Sequence, residues 1–391
     1  MVKVPADWDE CSLSDLFGVL AGGDLKKSLF SPYRTQAYAY KIFSNAIENY
    51  GLYGYTSKPC YPADSITVTA RGTIGKAYYR DEPFDAIIRL LVLVPKNKNV
   101  CTKFYVYYIN HMVTFDLEST GVPQLTVPKI GEKKVPFFSK SEQQAIADTL
   151  SIFDTYISDI TELIEKKRAI RDGALEDLVS GKKRLDGFDG EWKEVHFKDV
   201  ITPKARIGWQ GLKKHEYLRS GYSYLIGGTD FFQGTVSLEH ISFVTKERYQ
   251  MDTNIQVGEN DVLVTKDGTI GKVAIVPKLL KPATLNSGVF IFRTTADLLS
   301  VYLYRVLISS TFRHFIALLS AGSTIKHLYQ KDLKRFEFRI PTDIKEQQAI
   351  ADTLTAMDDE IRELEEERSK MKEIREGAMD DLLTGRVRLP L

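Results

Sequence analysis

Apolar residues recur at alternating steps of four and three along two stretches of the chain. Most positions between them are polar or charged, and the first series continues to Ile164. This heptad spacing lines one face of an α-helix with apolar side chains and predicts that the face packs against a partner helix. The two predicted seams are Ile146, Leu150, Phe153, Ile157 and Ile160, and Ile350, Leu354, Met357, Ile361 and Leu364.

The predicted helices also carry end signals. The segments 141–144 (SEQQ) and 343–346 (DIKE) are similar to capping boxes, and Gly181 and Gly385 stand where a helix would end. A continuous helix over 141–180 would be about 60 Å long. Because a lone helix is marginal in water, each seam should be buried. The favoured partner is the other helix, antiparallel to the first. The alternative is that each helix packs only on its own globular region.

Outside these helices, the pattern predicts mixed α and β structure. The runs 66–70 and 262–265 are strand-like and precede Gly-rich turns, and the runs 86–94 and 287–293 are typical of buried strands. Segments 302–309 and 41–49 are predicted to be helical. The expected fold class is α+β: two similar mixed α/β globular domains joined by two long antiparallel coiled-coil helices, with an internal pseudo-two-fold repeat.

The chain is internally duplicated. The nine residues EQQAIADTL occur at 142–150 and again at 346–354, and matched residues continue to Arg184 and Arg388. A Gly-Thr-Ile-Gly-Lys sequence occurs at 72–76 and at 268–272. Repeats of this kind organise a fold and are considered before local motifs. The predicted domains are a first globular domain at 1–140, a first helix at 141–185, a second globular domain at 186–340 and a second helix at 341–391.

Charge follows this division, although the whole chain of 391 residues has a net charge of only +1. Residues 1–140 carry 17 basic and 13 acidic side chains, and residues 186–340 carry 21 and 16. The helical segments are acidic, with 7 basic and 9 acidic side chains at 141–185 and 8 and 14 at 341–391. A polyanion would therefore be attracted to the globular regions and repelled by the helices, unless the split is ordinary surface scatter.

Catalytic and metal-binding motifs are not found in the sequence. The Gly-Thr-Ile-Gly-Lys segments have two residues between their glycines, whereas a P-loop has four, and Ala77 or Val273 follows where Ser or Thr is needed. No histidine belongs to a zinc-binding motif, and no Gly-x-Ser-x-Gly elbow occurs. The three cysteines are widely spaced, and no apolar run is long enough to span a membrane. We therefore expect no catalytic residue, metal or cofactor.

Several segments are suited to contact with DNA. The repeated turns could expose backbone N–H groups and a lysine to phosphate, although a purely structural role is an equal alternative. Aromatic residues among glycines at 49–55 could stack on bases, and hydroxyls with a lysine at 322–327 could contact phosphate, although packing on their own domain is the alternative for both. The candidate DNA-binding residues are Tyr53, Tyr55, Lys58, Arg71, Thr73, Lys76, Lys266, Thr269, Lys272, Ser323, Thr324 and Lys326.

The duplicated EQQAIADTL helix, the Gly-Ala/Leu-x-Asp-Leu-x-x-Gly pattern ending at Gly181 and Gly385, the two turns and the segment 187–192 (GFDGEW) carry a family resemblance. The chain resembles the specificity subunit of type I restriction-modification enzymes over nearly its whole length. The resemblance implies two target-recognition domains that read the halves of a bipartite double-stranded DNA sequence. It also implies spacer helices that dock two methyltransferase subunits and, through them, restriction subunits, in a non-catalytic, cytoplasmic protein.

Two alternatives to this function are retained from the sequence. An enzyme, such as a self-contained methyltransferase or nuclease, would need cofactor or metal motifs. A non-catalytic two-module scaffold, or an orphan relative that takes no part in DNA modification, would need none. Salt-dependent binding to duplex DNA separates a DNA-binding protein from a scaffold for protein or glycan.

Overall fold

The computed structural model describes residues 5–115, 123–207, 211–320 and 327–390. The described residues divide into two compact units. The first lies within Met1–Glu162 and Glu366–Leu391, and the second is Leu163–Glu365. Each unit therefore contains one globular domain and part of each of the two long helices.

The described part of the first unit contains ten strands, three short helices and parts of both long helices. Its strands are β1 (Asp9–Ser12), β2 (Phe17–Ala21), β3 (Phe30–Ser31), β4 (Tyr40–Phe43), β5 (Leu52–Thr56), β6 (Ser65–Val68), β7 (Ala77–Arg80), β8 (Phe84–Ala86), β9 (Leu91–Pro95) and β10 (Lys134–Phe137). Its helices are α1 (Leu13–Leu16), α2 (Thr102–Met112), α3 (Val127–Gly131), the first part of α4 (Lys140–Ser180) and the last part of α10 (Ile344–Leu383).

Three sheets form the first globular domain. One has the order β2-β9-β6-β7, the second has the order β3-β5-β4-β8, and β1 pairs with β10. The strands of the first sheet are antiparallel, whereas β4 and β8 are parallel. Apolar side chains of β6 and β9 pack with α2 and with Ile146 and Leu150 of α4 in one buried cluster. The start of α4 is therefore part of the first domain's core.

The described part of the second unit contains twelve strands, five shorter helices and parts of both long helices. Its strands are β11 (Trp192–His196), β12 (Ile201–Ala205), β13 (Ser223–Ile226), β14 (Phe231–Phe232), β15 (Thr235–Val236), β16 (Ser242–Val244), β17 (Gln256–Val257), β18 (Val262–Thr265), β19 (Val273–Ile275), β20 (Ala283–Leu285), β21 (Val289–Thr294) and β22 (Glu337–Pro341). Its helices are α5 (Phe197–Val200), α6 (Lys246–Gln250), α7 (Ser300–Ile308), α8 (Ser310–Ser320), α9 (Gln330–Leu333), the last part of α4 and the first part of α10 (Ile344–Leu383).

The second globular domain repeats the plan of the first with additional strands. Its sheets have the orders β12-β21-β18-β19-β15-β14 and β16-β13-β20-β17, and β11 pairs with β22. In both domains, a strand runs into a four-residue helix and then into a five-residue strand: β1-α1-β2 in the first and β11-α5-β12 in the second. The duplication seen in the sequence is thus also a duplication of the fold.

The long helices α4 and α10 are antiparallel within each unit. In the first unit, Asp154 of early α4 accepts a hydrogen bond from Arg375 of late α10, at 2.6 Å. In the second unit, late α4 meets early α10, where Lys167 Nζ lies 2.6 Å from Glu360. Low-numbered residues of one helix thus meet high-numbered residues of the other. The predicted α+β fold with paired antiparallel helices and an internal repeat is confirmed.

The helix ends follow the sequence signals in part. Gly181 and Gly385 have φ values of +72° and +69°, as expected for residues that end a helix in the left-handed conformation. Neither capping box forms. The Ser139 hydroxyl, not that of Ser141, accepts from the Glu142 N–H at 3.3 Å. The Glu346 carboxylate binds Arg184 instead of turning back to its own helix end.

Two sequence predictions within the first domain are wrong. Segment 41–49 is not a helix, because Tyr40–Phe43 pairs with β5 on one side and β8 on the other. Segment 86–94 is not one strand. Ile88 and Arg89 both have positive φ, at 56° and 61°, and this break ends β8 and redirects the chain into β9.

Candidate nucleic-acid interface

The two Gly-Thr-Ile-Gly-Lys turns have the same internal hydrogen bonds. In the first, the Thr69 hydroxyl donates to the Thr73 carbonyl and accepts from the Lys76 N–H, the latter at 2.9 Å. In the second, the Thr265 hydroxyl donates to the Thr269 carbonyl and accepts from the Lys272 N–H, again at 2.9 Å. A buried threonine at the end of β6 or β18 therefore holds each turn in a fixed shape.

Glycine is required in these turns for backbone conformation. Gly72 and Gly268 have φ of +70° and +72°, and a Cβ added at either would meet no atom within 4 Å. Their positive φ alone therefore disfavours other residues. At Gly75 packing adds to the requirement, since a Cβ there would lie 2.4 Å from the Phe115 ring. The two turns share one backbone shape, and their glycine tips are open to a ligand.

The first turn exposes the side chains that were predicted to bind DNA. Arg71, Thr73 and Lys76 are all exposed. Arg71 donates from Nε and Nη2 to the Gln124 side-chain oxygen, at 3.2 and 2.9 Å. A neutral amide orients this guanidinium without cancelling its charge, so the turn presents a fixed cation to a polyanion.

The second turn has a different charge pattern. Lys266 is half-buried, and its Nζ lies 5.5 Å from the centroid of the Phe290 ring. Lys272 Nζ donates to the Phe231 carbonyl, so part of its hydrogen-bonding capacity is already used. Thr269 is exposed. Asp267 stands at the position that Arg71 has in the first turn, and its carboxylate pairs with His327.

The aromatic candidates lie on another sheet of the first unit. Tyr53 and Tyr55 belong to β5, of the β3-β5-β4-β8 sheet, whereas the first turn joins β6 to β7. Tyr53 is 48% exposed and its ring centroid lies 5.7 Å from that of Phe30, while Tyr55 is half-buried and Lys58 is exposed. The remaining candidates, Ser323, Thr324 and Lys326, lie outside the described residues.

A basic cavity of about 420 Å³ in the second unit was not predicted from the sequence. The sequence had singled out Lys266 of its wall and pointed to the basic residues around Lys331, but it gave no signal for Arg206. Burial lowers the pKa of the Arg206 guanidinium, and the charge of Arg248 adds to the effect. The wall of the cavity consists of Ala205, Arg206, Lys266, Phe290, His327, Leu328, Tyr329, Gln330 and Lys331.

The repeated Glu-Gln-Gln at the start of each long helix fixes that helix to its globular domain. Gln143 is fully buried, accepts from the Cys101 N–H at 2.8 Å and donates to the Phe138 carbonyl at 2.8 Å. Its counterpart Gln347 accepts from the Leu299 N–H at 2.9 Å and donates to the Pro341 carbonyl at 3.0 Å. These bonds give a physical reason why the two segments have the same sequence.

The glutamate of each motif is held by the arginine that follows the other long helix. In the second unit, Arg184 donates to both oxygens of the buried Glu346, at 2.6 and 2.8 Å. In the first unit, Arg388 binds both oxygens of the buried Glu142 and also reaches Asp7, at 3.1 Å. Each arginine lies 5.8 Å from a tryptophan ring centroid. The two units therefore contain the same junction.

The predicted helix seams have mixed surroundings. Ile146, Leu150, Ile160, Ile350, Leu354 and Ile361 are buried, while Phe153, Ile157, Met357 and Leu364 are half-buried. Leu150 packs in one cluster with first-domain residues and with Met379 and Leu382 of α10. Leu354 likewise packs with the second domain and with Leu175 and Leu178 of α4. At their starts the seams thus face both the globular core and the other helix.

The described part of the chain shows no group of three or more His, Cys, Asp or Glu side chains that could hold a metal ion. A search of the same residues for a helix long and apolar enough to cross a membrane finds none.

Comparison with known proteins places these features in a family. The family model described as the type I restriction modification DNA specificity domain matches residues 5–170 and 190–373. The putative type I restriction enzyme MjaX specificity subunit of Methanocaldococcus jannaschii is 25% identical over 335 residues, which cover 81% of this chain and 76% of that protein. The MjaVIII specificity subunit of the same organism is 25% identical over 320 residues, which cover 77% and 73%.

Solved structures share the fold. The type I restriction-modification S subunit from M. genitalium aligns with a TM-score of 0.65 at 18% identity, over 97% of this chain and 96% of that one. A chain from a study of complex assembly and conformational transition of the type I system aligns with a TM-score of 0.58 at 14% identity, over 98% and 100%. Because the family match covers both copies of the repeat, this chain belongs to the DNA specificity subunits of type I restriction-modification systems.

Proposed function

We propose that the chain reads a bipartite double-stranded DNA target, with one half-site recognised by each globular domain and the bases between them left unread. The recognition domains are assigned to 1–140 and 186–340, and the spacer helices to 141–185 and 341–391. The observation that carries the proposal is a turn that recurs in both domains with different charges at its tip. Two turns with the same backbone shape but different side chains are suited to recognising two different DNA sequences.

The proposed contacts divide by chemistry. Basic and hydroxyl side chains of the turns bind phosphate and fix the register, and side chains nearby read base edges. The tyrosines of β5 offer aromatic faces, and Lys58 adds a positive charge. The proposed DNA-binding set is Tyr53, Tyr55, Lys58, Arg71, Thr73, Lys76, Lys266, Thr269, Lys272, Ser323, Thr324 and Lys326.

The long helices are assigned to assembly. Their sequences are acidic, which disfavours DNA, and outside the buried seams they carry apolar side chains such as Ile170 and Ile374, which are 60% and 44% exposed. We assign these faces to two methyltransferase subunits, which in turn carry the restriction subunits. Methyl transfer, DNA cleavage and their cofactors then belong to those partners, and the complex acts in the cytoplasm, where the chromosome lies.

A salt titration with random duplex DNA tests the DNA contacts. We expect the full chain to bind with an affinity that falls steeply with salt, and Lys76→Ala to reduce the slope of log K against log salt by about 0.9. Lys103→Ala is a matched control, because Lys103 is an exposed lysine of the same unit that lies on α2. Binding that does not depend on salt would favour a scaffold for protein or glycan.

Sequencing of methylated bases in the host genome tests the bipartite target. We expect one motif with two defined halves and a fixed unspecified gap. Deletion of the gene should abolish methylation of that motif, and exchange of residues 186–340 for those of a relative should change one half only. A single uninterrupted motif would contradict the proposal.

A further inference from the structure

The basic cavity in the second unit is a candidate for a second kind of DNA contact, one that adjoins the turn and shares Lys266 with it. Arg206, Lys266 and Lys331 contribute three cationic groups to its wall, and no carboxylate is among those lining residues that the structure describes. His327, also in the wall, is paired with Asp267. A cavity of about 420 Å³ is large enough for a phosphate group with part of its attached sugar.

Arg206 is the unusual member of this group, because only 2% of its surface is exposed. Its Nε donates to the Leu285 carbonyl at 2.9 Å, and its Nη2 donates to the Thr284 hydroxyl at 3.4 Å. Among the described residues, its Nη1 has no hydrogen-bond partner, and no carboxylate lies within ion-pair distance. A buried guanidinium without a counter-ion is unfavourable, so an anion in the cavity would stabilise it.

The nearby acids have other partners. Glu216 pairs with Arg248 at 3.0 Å, and Asp252 accepts from the Asn254 N–H at 3.0 Å. Both act on Arg206 at longer range. Two aromatic rings of the wall also lie near lysines. Lys331 Nζ is 5.3 Å from the Tyr329 ring centroid, and Lys266 Nζ is 5.5 Å from the Phe290 ring centroid.

The first unit has no cation at the equivalent positions. The Leu125 N–H donates to the Ala70 carbonyl at 2.9 Å, just as the Leu328 N–H donates to the Lys266 carbonyl at 2.8 Å. Ala70 therefore occupies the place of Lys266, and Pro128 that of Lys331. The residue after β2 is Gly22, whereas the residue after the equivalent β12 is Arg206.

We infer that this cavity binds a phosphate of the DNA backbone beside the half-site read by the second domain, a contact that the first domain lacks. The inference rests on the proposed function and extends it. Lys331 and Lys266 would bind the phosphate oxygens, and the buried Arg206 would raise the positive potential behind them. The second domain would then bring more positive charge to its half-site than the first domain brings to its own.

Duplex binding by the full chain tests the assignment, with salt titrations of Lys331→Ala and Arg206→Met beside the unchanged protein. We expect Lys331→Ala to weaken binding to random duplex by about tenfold and to lower the salt slope by about 0.9. Arg206→Met should weaken binding similarly, whereas Arg206→Lys, which retains the charge, should retain the slope. Lys278→Ala, at an exposed lysine outside the cavity, is the matched control.

The outcomes separate this inference from the function on which it rests. If the unchanged chain shows no salt-dependent duplex binding, the proposed function fails. If it binds but Lys331→Ala behaves like Lys278→Ala, only the cavity assignment is overturned. Thermal melting identifies any variant that does not fold. If Arg206→Met unfolds, the result for Lys331→Ala alone tests the cavity assignment.

A calorimetric titration with a nucleoside 5′-monophosphate distinguishes a DNA phosphate from a free nucleotide. Negligible binding supports the backbone assignment. Tight binding that Lys331→Ala abolishes, together with an unchanged duplex slope, would overturn it in favour of a free nucleotide.

Discussion

At the scale of single residues, the threonine behind each turn is expected to matter more than its exposed neighbours. Thr69 and Thr265 are buried, and each hydroxyl satisfies one carbonyl and one N–H of its turn. Thr69→Val keeps the shape but leaves both groups unpaired, at a cost of about 1–3 kcal/mol for each group that stays buried. Hydrogen–deuterium exchange should show faster exchange at 69–76 and unchanged protection in the second unit.

The exposed Thr73 supplies the control for this prediction. Thr73→Val removes a hydroxyl from the tip of the same turn but leaves its backbone carbonyl, which is the Thr69 acceptor. It should change stability by less than about 0.5 kcal/mol. Equal loss of protection in both variants would show that the buried hydroxyl does not hold the turn.

The sequence predicted these turns well but not the differences between them. The recurrence of Gly-Thr-Ile-Gly-Lys indicated equivalent tight turns, and the positive φ of all four glycines explains the residue choice. Arg71 is hydrogen-bonded to the Gln124 amide, whereas Asp267 pairs with His327. Each partner lies more than 50 residues away along the chain, and no local sequence pattern connects the two segments. Arg206 was missed for the same reason, since only the fold places it beside Lys331.

At the scale of secondary-structure elements, the buried glutamate at the start of α10 should be the most sensitive point of its junction. Glu346 is fully buried and bidentate with Arg184, so Arg184→Ala would leave a carboxylate without its counter-ion. Breaking such a pair costs about 3–5 kcal/mol. Denaturant unfolding should show this loss, and adding Glu346→Gln should recover part of it because the buried charge is then absent.

A surface pair on the same helix is the matched control. Arg362 lies 2.8 Å from Asp359, and both side chains are largely exposed. Arg362→Ala should therefore change stability by less than about 1 kcal/mol. If it destabilised the protein as much as Arg184→Ala does, burial would not be the source of the difference.

The periodicity of the long helices predicted their existence and their pairing, but not how far the globular domains cover the seams. Leu150 was expected to contact the other helix and does so through Met379 and Leu382, but it also lies in the core of the first domain. Leu150→Asp is therefore expected to unfold the first unit. The short elements were less predictable. Segment 41–49 has apolar residues at helical spacing (Ile42, Phe43, Ala46 and Ile47), yet its sheet neighbours determine its conformation.

At the scale of the whole molecule, two of the arginine–carboxylate contacts of one unit have a counterpart in the other. Asp154 bonds Arg375 in the first unit, and Arg171 bonds Asp358 in the second, at positions related by the repeat. The same holds for Arg388 with Glu142 and Arg184 with Glu346. We therefore expect a partner that recognises one of these shared surfaces to recognise both, so that two copies of that partner bind per chain.

Ile170 and Ile374 allow this implication to be tested. They occupy equivalent positions of the repeat and are 60% and 44% exposed, although each is a large apolar side chain. We expect each of Ile170→Asp and Ile374→Asp to remove one methyltransferase subunit from the co-expressed complex, and the double variant to remove both. Native mass spectrometry of the purified complexes measures the stoichiometry directly.

Leu280→Asp, at an apolar residue that is 87% exposed in the second domain, should leave the stoichiometry unchanged. Because a buried aspartate at an interface loses hydration without gaining a partner, the defect should be a change in the number of bound subunits while the chain itself stays folded. Full occupancy in the double variant would place the docking surface elsewhere on the helices.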